Sequence, residues 1–176
     1  MIEHFQLLAS YNLWMNTQIY ESCARLSESE MKQDRGAYFG SIFGTLNHLL
    51  VADLIWCQRF AEKEAFEDAL EEVAQHPKPL RLDQILYDDF AQLRTQRRWL
   101  DQLIERWVRS LDQEDLVSVV HYQNMRGQAF NKRLSHLLLH VFNHQTHHRG
   151  QVTNLLSQAG EDPGVTDLLI SLPDQA

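Results

Sequence analysis

Five of the chain's nine histidines, His136, His140, His144, His147 and His148, fall within 13 residues. Imidazole is a borderline ligand that suits zinc, nickel, copper and iron, and two histidines at i and i+4 share one helix face, close enough for one ion. Counting 100° per residue from Leu134, the apolar direction set by Leu137, Leu138, Val141, Val152 and Leu155 includes His148 and is flanked by His144. His140 lies further round, and His136 and His147 point to solvent. A histidine on an amphipathic helix is ordinarily a surface residue, and a single inward one is ordinarily hydrogen-bonded. Two adjacent inward imidazoles are different, because burying both without a shared purpose has a desolvation penalty that leucine avoids. The spacing therefore predicts a divalent-metal site on His144 and His148, completed by a ligand from another helix. His48, Asp53, His4, His76 and His121 are the candidates. Asp53 shares a side with Leu46, Leu50 and Cys57, and His48 shares the other with Val51, Ala52 and Ile55, so periodicity leaves the choice open.

The elements that must position these groups are helical. Phe5, Leu8, Asn12, Met15, Ile19, Cys23 and Leu26 recur every three or four residues and predict a first helix. A loop over Ser27 to Ser41 follows, then a second helix from Ile42 to Phe60 that is apolar on two sides. The acidic stretch from Ala65 to Leu80 is broken by Pro77 and Pro79. A third helix of about eight turns is expected from Leu82 to Leu111, with Asp83 in its first turn. Val117, Val119, Val120 and Tyr122 favour strand, and the stretch from Asn124 to Gly127 supplies a turn, so a small hairpin is expected there. Helical spacing returns from Leu134 to Leu156 and stops at Gly160, and the tail from Glu161 reads as loop. The expected architecture is all-α, a four-helix bundle with a minor β-hairpin before the last long helix, in a single domain over 1–176.

Composition narrows the function classes. A chain of 176 residues, 44% apolar, is long enough for one sizeable core. A net charge of −8 opposes a large phosphate-facing surface, so no nucleic-acid partner is expected, although Arg94, Arg97 and Arg98 suggest a local basic patch. No apolar run approaches a membrane span and the first ten residues lack signal-peptide character, so a cytoplasmic location and no membrane partner are expected. Cys23 and Cys57 form no CxxC pair and read as buried packing residues. Arg149 reads as a surface ion-pairing residue and Gly150 as a site of close helix packing. Trp14, Trp56, Trp99 and Trp107 read as core or interface aromatics, and the two apolar sides of the second helix predict a homodimer. No Ser-His-Asp order, phosphate-cradling glycine loop or paired catalytic carboxylates is present, so metal-centred chemistry is the one enzymatic reading with residues behind it.

The segments YNLWMN (Tyr11 to Asn16), NHLLVADLIW (Asn47 to Trp56) and HVFNHQTHHRGQ (His140 to Gln151) resemble those of the DinB/YfiT-like proteins. NHQTHHRGQ is the most specific of them, and GEDPGVTDLL (Gly160 to Leu169) resembles the family's closing segment. The resemblance covers nearly the whole chain. It implies a four-helix bundle with a three-histidine divalent-metal site, carried here onto His48, His144 and His148, with zinc or nickel as the ion and Asp53 left as a buried hydrogen-bonding partner. Three protein nitrogens leave coordination positions free, as catalytic sites do. Some relatives are thiol-dependent transferases or isomerases. The implied function is thus a metal-dependent enzyme of transferase or hydrolase type acting on a small molecule, with a low-molecular-weight thiol as co-substrate; the alternative is a stress-related metal-binding module without turnover.

Overall fold

A computed structural model describes residues 1–172 and 174. The order is α1 (Ile2–Cys23), α2 (Glu28–Lys32), α3 (Ile42–Ala61), α4 (Glu64–Glu67), a 3-10 helix (Asp68–Gln75), α5 (Phe90–Ser110), α6 (Gln113–Val117), β1 (Val119–Gln123), β2 (Ala129–Arg133), α7 (Leu134–Gln158) and a second 3-10 helix (Leu168–Ser171). The four long helices form the bundle. Each of α1 and α3 packs against both α5 and α7, so α1 lies diagonally opposite α3. Their apolar stripes meet in one core, with Met15, Ile19, Leu46, Leu50, Leu93, Leu100, Leu138 and Val152 fully buried. No helix among the described residues is long and apolar enough to cross a membrane.

Helix ends follow local chemistry. Ser41 caps α3 by accepting from the Gly44 N–H, and Gly160 takes φ +86 just past the last turn of α7, where its missing Cβ removes the usual steric penalty. The hairpin is present: β1 and β2 pair antiparallel from Val119 opposite Arg133 to Gln123 opposite Ala129, around a turn with Gly127 at φ +75. Within the expected loop over Ser27 to Ser41, α2 forms because Ser27 and Glu30 make a reciprocal capping box.

Three sequence expectations are corrected. The third long helix begins at Phe90, not Leu82, because Asp89 accepts from the Gln92 N–H at 2.7 Å and is its N-cap. Asp83 instead pairs with Arg81, and the preceding chain is held as an irregular strap by the Asn47 side chain, which accepts from the N–H groups of Leu86 and Tyr87. The side of α3 expected to face a partner is instead packed against the segment 64–75 of the same chain. Gly150 lies on the exposed side of α7, and a Cβ built there meets nothing within 4 Å. It is therefore not a close-packing site. Gly150→Ala is expected to raise stability by about 0.5–1 kcal/mol, since it removes the backbone-entropy penalty of glycine in a helix interior. Denaturant unfolding would show it, and a loss of stability would mean that α7 has a neighbour on that face.

Candidate metal centre

His48 stands in the second turn of α3, and His144 and His148 stand one turn apart on α7. The two helices run antiparallel: His48 meets His144 and His148, Asp53 meets Gln145, and Trp56 meets His140. This packing brings the His48 Nε2 to 3.1 Å from the His144 Nε2 and 3.2 Å from the His148 Nε2. One ligand atom from each of the three lies within 4.8 Å of the others.

The outer nitrogens decide what the inner ones carry. The His48 Nδ1 lies 2.8 Å from the Leu82 carbonyl, which only accepts, so this nitrogen holds the proton and donates. The His148 Nδ1 donates to the Gln151 Oε1 at 2.7 Å, and the Gln151 amide nitrogen is turned towards the His147 Nε2. In both neutral rings the Nε2 is left as a bare lone pair, and the two lone pairs face each other at 3.2 Å. That arrangement repels unless a cation lies between them. Two nitrogens bound tetrahedrally to one zinc at about 2.0–2.1 Å stand about 3.3 Å apart, so the observed separations match a shared ion. The outer hydrogen bonds are those by which metal-binding histidines are oriented.

Burial keeps the rings neutral. It pushes His144 down to about 3, helped by the neighbouring His148, His48, His140 and His147. Burial also lowers His48 and His148, against the Leu82 and Gln151 hydrogen bonds that favour their charged forms. A histidine whose folded pKa is depressed is protonated first in the unfolded chain. Metal-free protein should thus lose stability as pH falls through about 6.5, while above that these groups contribute no slope. Asp101, raised by its burial to about 6, acts in the opposite sense and begins to offset the loss only below that pH. Thermal unfolding of chelator-treated protein from pH 7.5 to 6 would check this; a midpoint that rises on acidification contradicts it.

Phe39 stacks on the His48 ring, with centroids 3.8 Å apart, and meets His148 edge-on. The close approach depends on Gly44, where a Cβ would lie 2.1 Å from the Phe39 carbonyl oxygen. On the other side the histidines open into a cleft of about 400 Å³, walled by His48, His144, His140, Trp56, Arg59 and Met125. The hairpin supplies part of this wall, with Tyr122 packed on Trp56.

The remaining candidate ligands lie elsewhere. His4 is exposed on α1, His76 stacks on Trp99, and His121 pairs with Asn131 on the hairpin. Asp53 is fully buried but does not join the histidines. It accepts from Gln145 and forms an ion pair with Arg97 at 2.9 Å. Arg97 also pairs with Asp101 at 2.7 Å, Asp101 accepts from Asn12 and Asn16, and Arg149 donates to Asn12 and reaches Gln145. Asp53, Arg97, Asp101, Asn12, Arg149 and Gln145 thus close a ring that draws on all four long helices. Two expectations fall with it: Arg149 is buried rather than a surface ion-pairing residue, and burial of Arg97 removes the basic patch with Arg94 and Arg98. Sequence reasoning missed the ring, although charged Arg97 and Asp101 interleaved with Leu93, Leu100 and Ile104 were a visible signal.

Comparison with known proteins agrees with this architecture. A model of the DinB family matches residues 1–174. The chain is 33% identical over 161 residues to Protein DinB of Bacillus subtilis (strain 168), covering 91% of this chain and 88% of that one. The crystal structure of a DinB-like protein from Bacillus cereus ATCC 10987 is similar with a TM-score of 0.64 at 20% identity, over 93% of this chain and 96% of that one.

Proposed function

Because the chain belongs to the DinB family, we propose that His48, His144 and His148 hold one divalent ion, zinc or nickel, and that the protein is a metal-dependent enzyme of transferase or hydrolase type acting on a small molecule. The observation that carries this reading is the pair of fixed tautomers: with the Nδ1 protons of His48 and His148 given to Leu82 and Gln151, the bare Nε2 atoms converge at metal-ligand spacing. Three neutral nitrogens retain the ion's positive charge, and the cleft beside His144 leaves room for a further ligand. A divalent ion bound there supplies Lewis-acid chemistry that lowers the pKa of a water or a thiol. Leu82 and Gln151 hold the lone pairs of His48 and His148 in place, and Phe39 and Leu82 keep water from one side of the His48 ring. A low-molecular-weight thiol is the proposed co-substrate.

Elemental analysis of protein purified without chelator, followed by a thiol-transfer screen on zinc-loaded, nickel-loaded and metal-free samples, tests the reading. About one ion per chain and turnover that disappears on chelation are expected. Stoichiometric metal without turnover in any sample would favour a non-catalytic metal-binding module instead.

A further inference from the structure

The cleft beside the histidines has a charge opposite to that of the chain. The protein carries 24 acidic and 16 basic residues, yet among the described residues this cleft is lined by two arginines, Arg59 and Arg126, and by no carboxylate. Arg59 is half-buried. Its guanidinium lies 4.7 Å from the centroid of Trp56 and 5.1 Å from that of Tyr122, so two rings hold it in place. Among the described residues neither arginine side chain has a carboxylate within ion-pair distance or a hydrogen-bond acceptor. Glu62, one turn beyond Arg59, lines the adjoining groove with Lys78 and makes no ion pair with it. A partly desolvated, pre-positioned guanidinium without a partner is poised for an anion, and its planar fork matches carboxylate or phosphate oxygens.

We propose that Arg59, assisted by Arg126, is an anion-recognising subsite that takes the carboxylate or phosphate end of an elongated ligand whose other end reaches the three histidines. This rests on the metal reading for the position of that other end. His48 and Arg59 are eleven residues apart on α3, about 16 Å along the axis. The arginine side chain leans back towards the helix N-terminus over Trp56, which itself contacts His140. The span between ion and anion is then on the order of 10 Å. The subsite thus selects ligands by length as well as charge.

The test uses the full chain loaded with Co²⁺ and a homologous series of linear hydroxamates ending in a carboxylate, a phosphonate or a methyl ester, followed by the visible spectrum of the metal. At the best spacer length the anionic probes should bind about tenfold tighter than the ester, and the stronger of the two identifies the anion. Arg59→Gln should erase the preference of the anionic probes over the ester, and Arg59→Lys should retain part of it. Equal binding of acid and ester at every length, or a preference that survives Arg59→Gln, overturns the subsite. Failure of cobalt to bind overturns the metal reading alone, because octanoate added to metal-free protein should still perturb the fluorescence of Trp56, a response lost in Trp56→Phe. Absence of that response overturns the subsite in its turn.

Discussion

His148→Ala should lose stoichiometric metal, and His48→Ala and His144→Ala should do the same, whereas His140→Ala and His147→Ala should keep it. The reason is geometric. His140 and His147 are exposed on α7, while the other three place their Nε2 atoms around one point. Removing an outer hydrogen-bonding partner typically weakens a metal site about 10–100-fold, so losing one of three ligands should exceed about 100-fold. A second readout follows from linkage, since an ion that binds only the folded chain stabilises it by about 2.7 kcal/mol at a hundred times its Kd. The wild-type unfolding midpoint should rise on adding zinc, and that of His148→Ala should not. If His140→Ala abolished metal uptake while His144→Ala and His148→Ala retained it, the inward face of α7 would be misassigned.

The second large effect concerns stability. Arg97 is 2% exposed and lies between Asp53 and Asp101, both as deeply buried. Burial works to lower its pKa, but the two carboxylates outweigh that and raise it, so it remains a cation in the core. Arg97→Ala would remove the guanidinium that pairs with both carboxylates and leave them only the more distant charge of Arg149. Breaking a buried pair in this way costs about 3–5 kcal/mol, a large part of the roughly 5–15 kcal/mol that holds a domain folded. Urea unfolding of Arg97→Ala, with Arg98→Ala as a surface control expected within about 0.5 kcal/mol of wild type, measures it. The deficit should shrink as pH falls towards 6, because in wild type burial raises the Asp101 carboxyl to about 6 while Arg97 holds it down; without Arg97 the carboxyl rises further, takes up its proton at higher pH and relieves the repulsion. A deficit below about 1 kcal/mol at pH 7.5 would show that the ring contributes little.

Much of the site was legible because its signals are local. A helix turns 100° per residue whatever surrounds it, so the histidine spacing alone separates His144 and His148 from His136 and His147, and the structure repeats that division. The same holds for the four amphipathic stripes, the strand-forming residues before Leu134 and the glycine that ends α7. The start of α5 was misread because Leu82, Ile85 and Leu86 continue a helical spacing. Asn47, forty residues away from Tyr87, binds the strap and lets Asp89 begin the helix instead.

By itself the sequence determined the elements and the inward histidine pair, since periodicity and side-chain type are properties of a few neighbouring residues. Periodicity leaves two candidates on α3 and the family resemblance points to His48; the tertiary structure shows why they part ways, with His48 joining the pair and Asp53 turning to Arg97 and Gln145. Residues five positions apart on a helix face different neighbours, and which neighbour each meets depends on how α3, α5 and α7 pack. The same packing set the His48 tautomer through Leu82, buried Arg149 beside Asn12, and left Arg59 at the end of the histidine cleft without an ion-pair partner among the described residues.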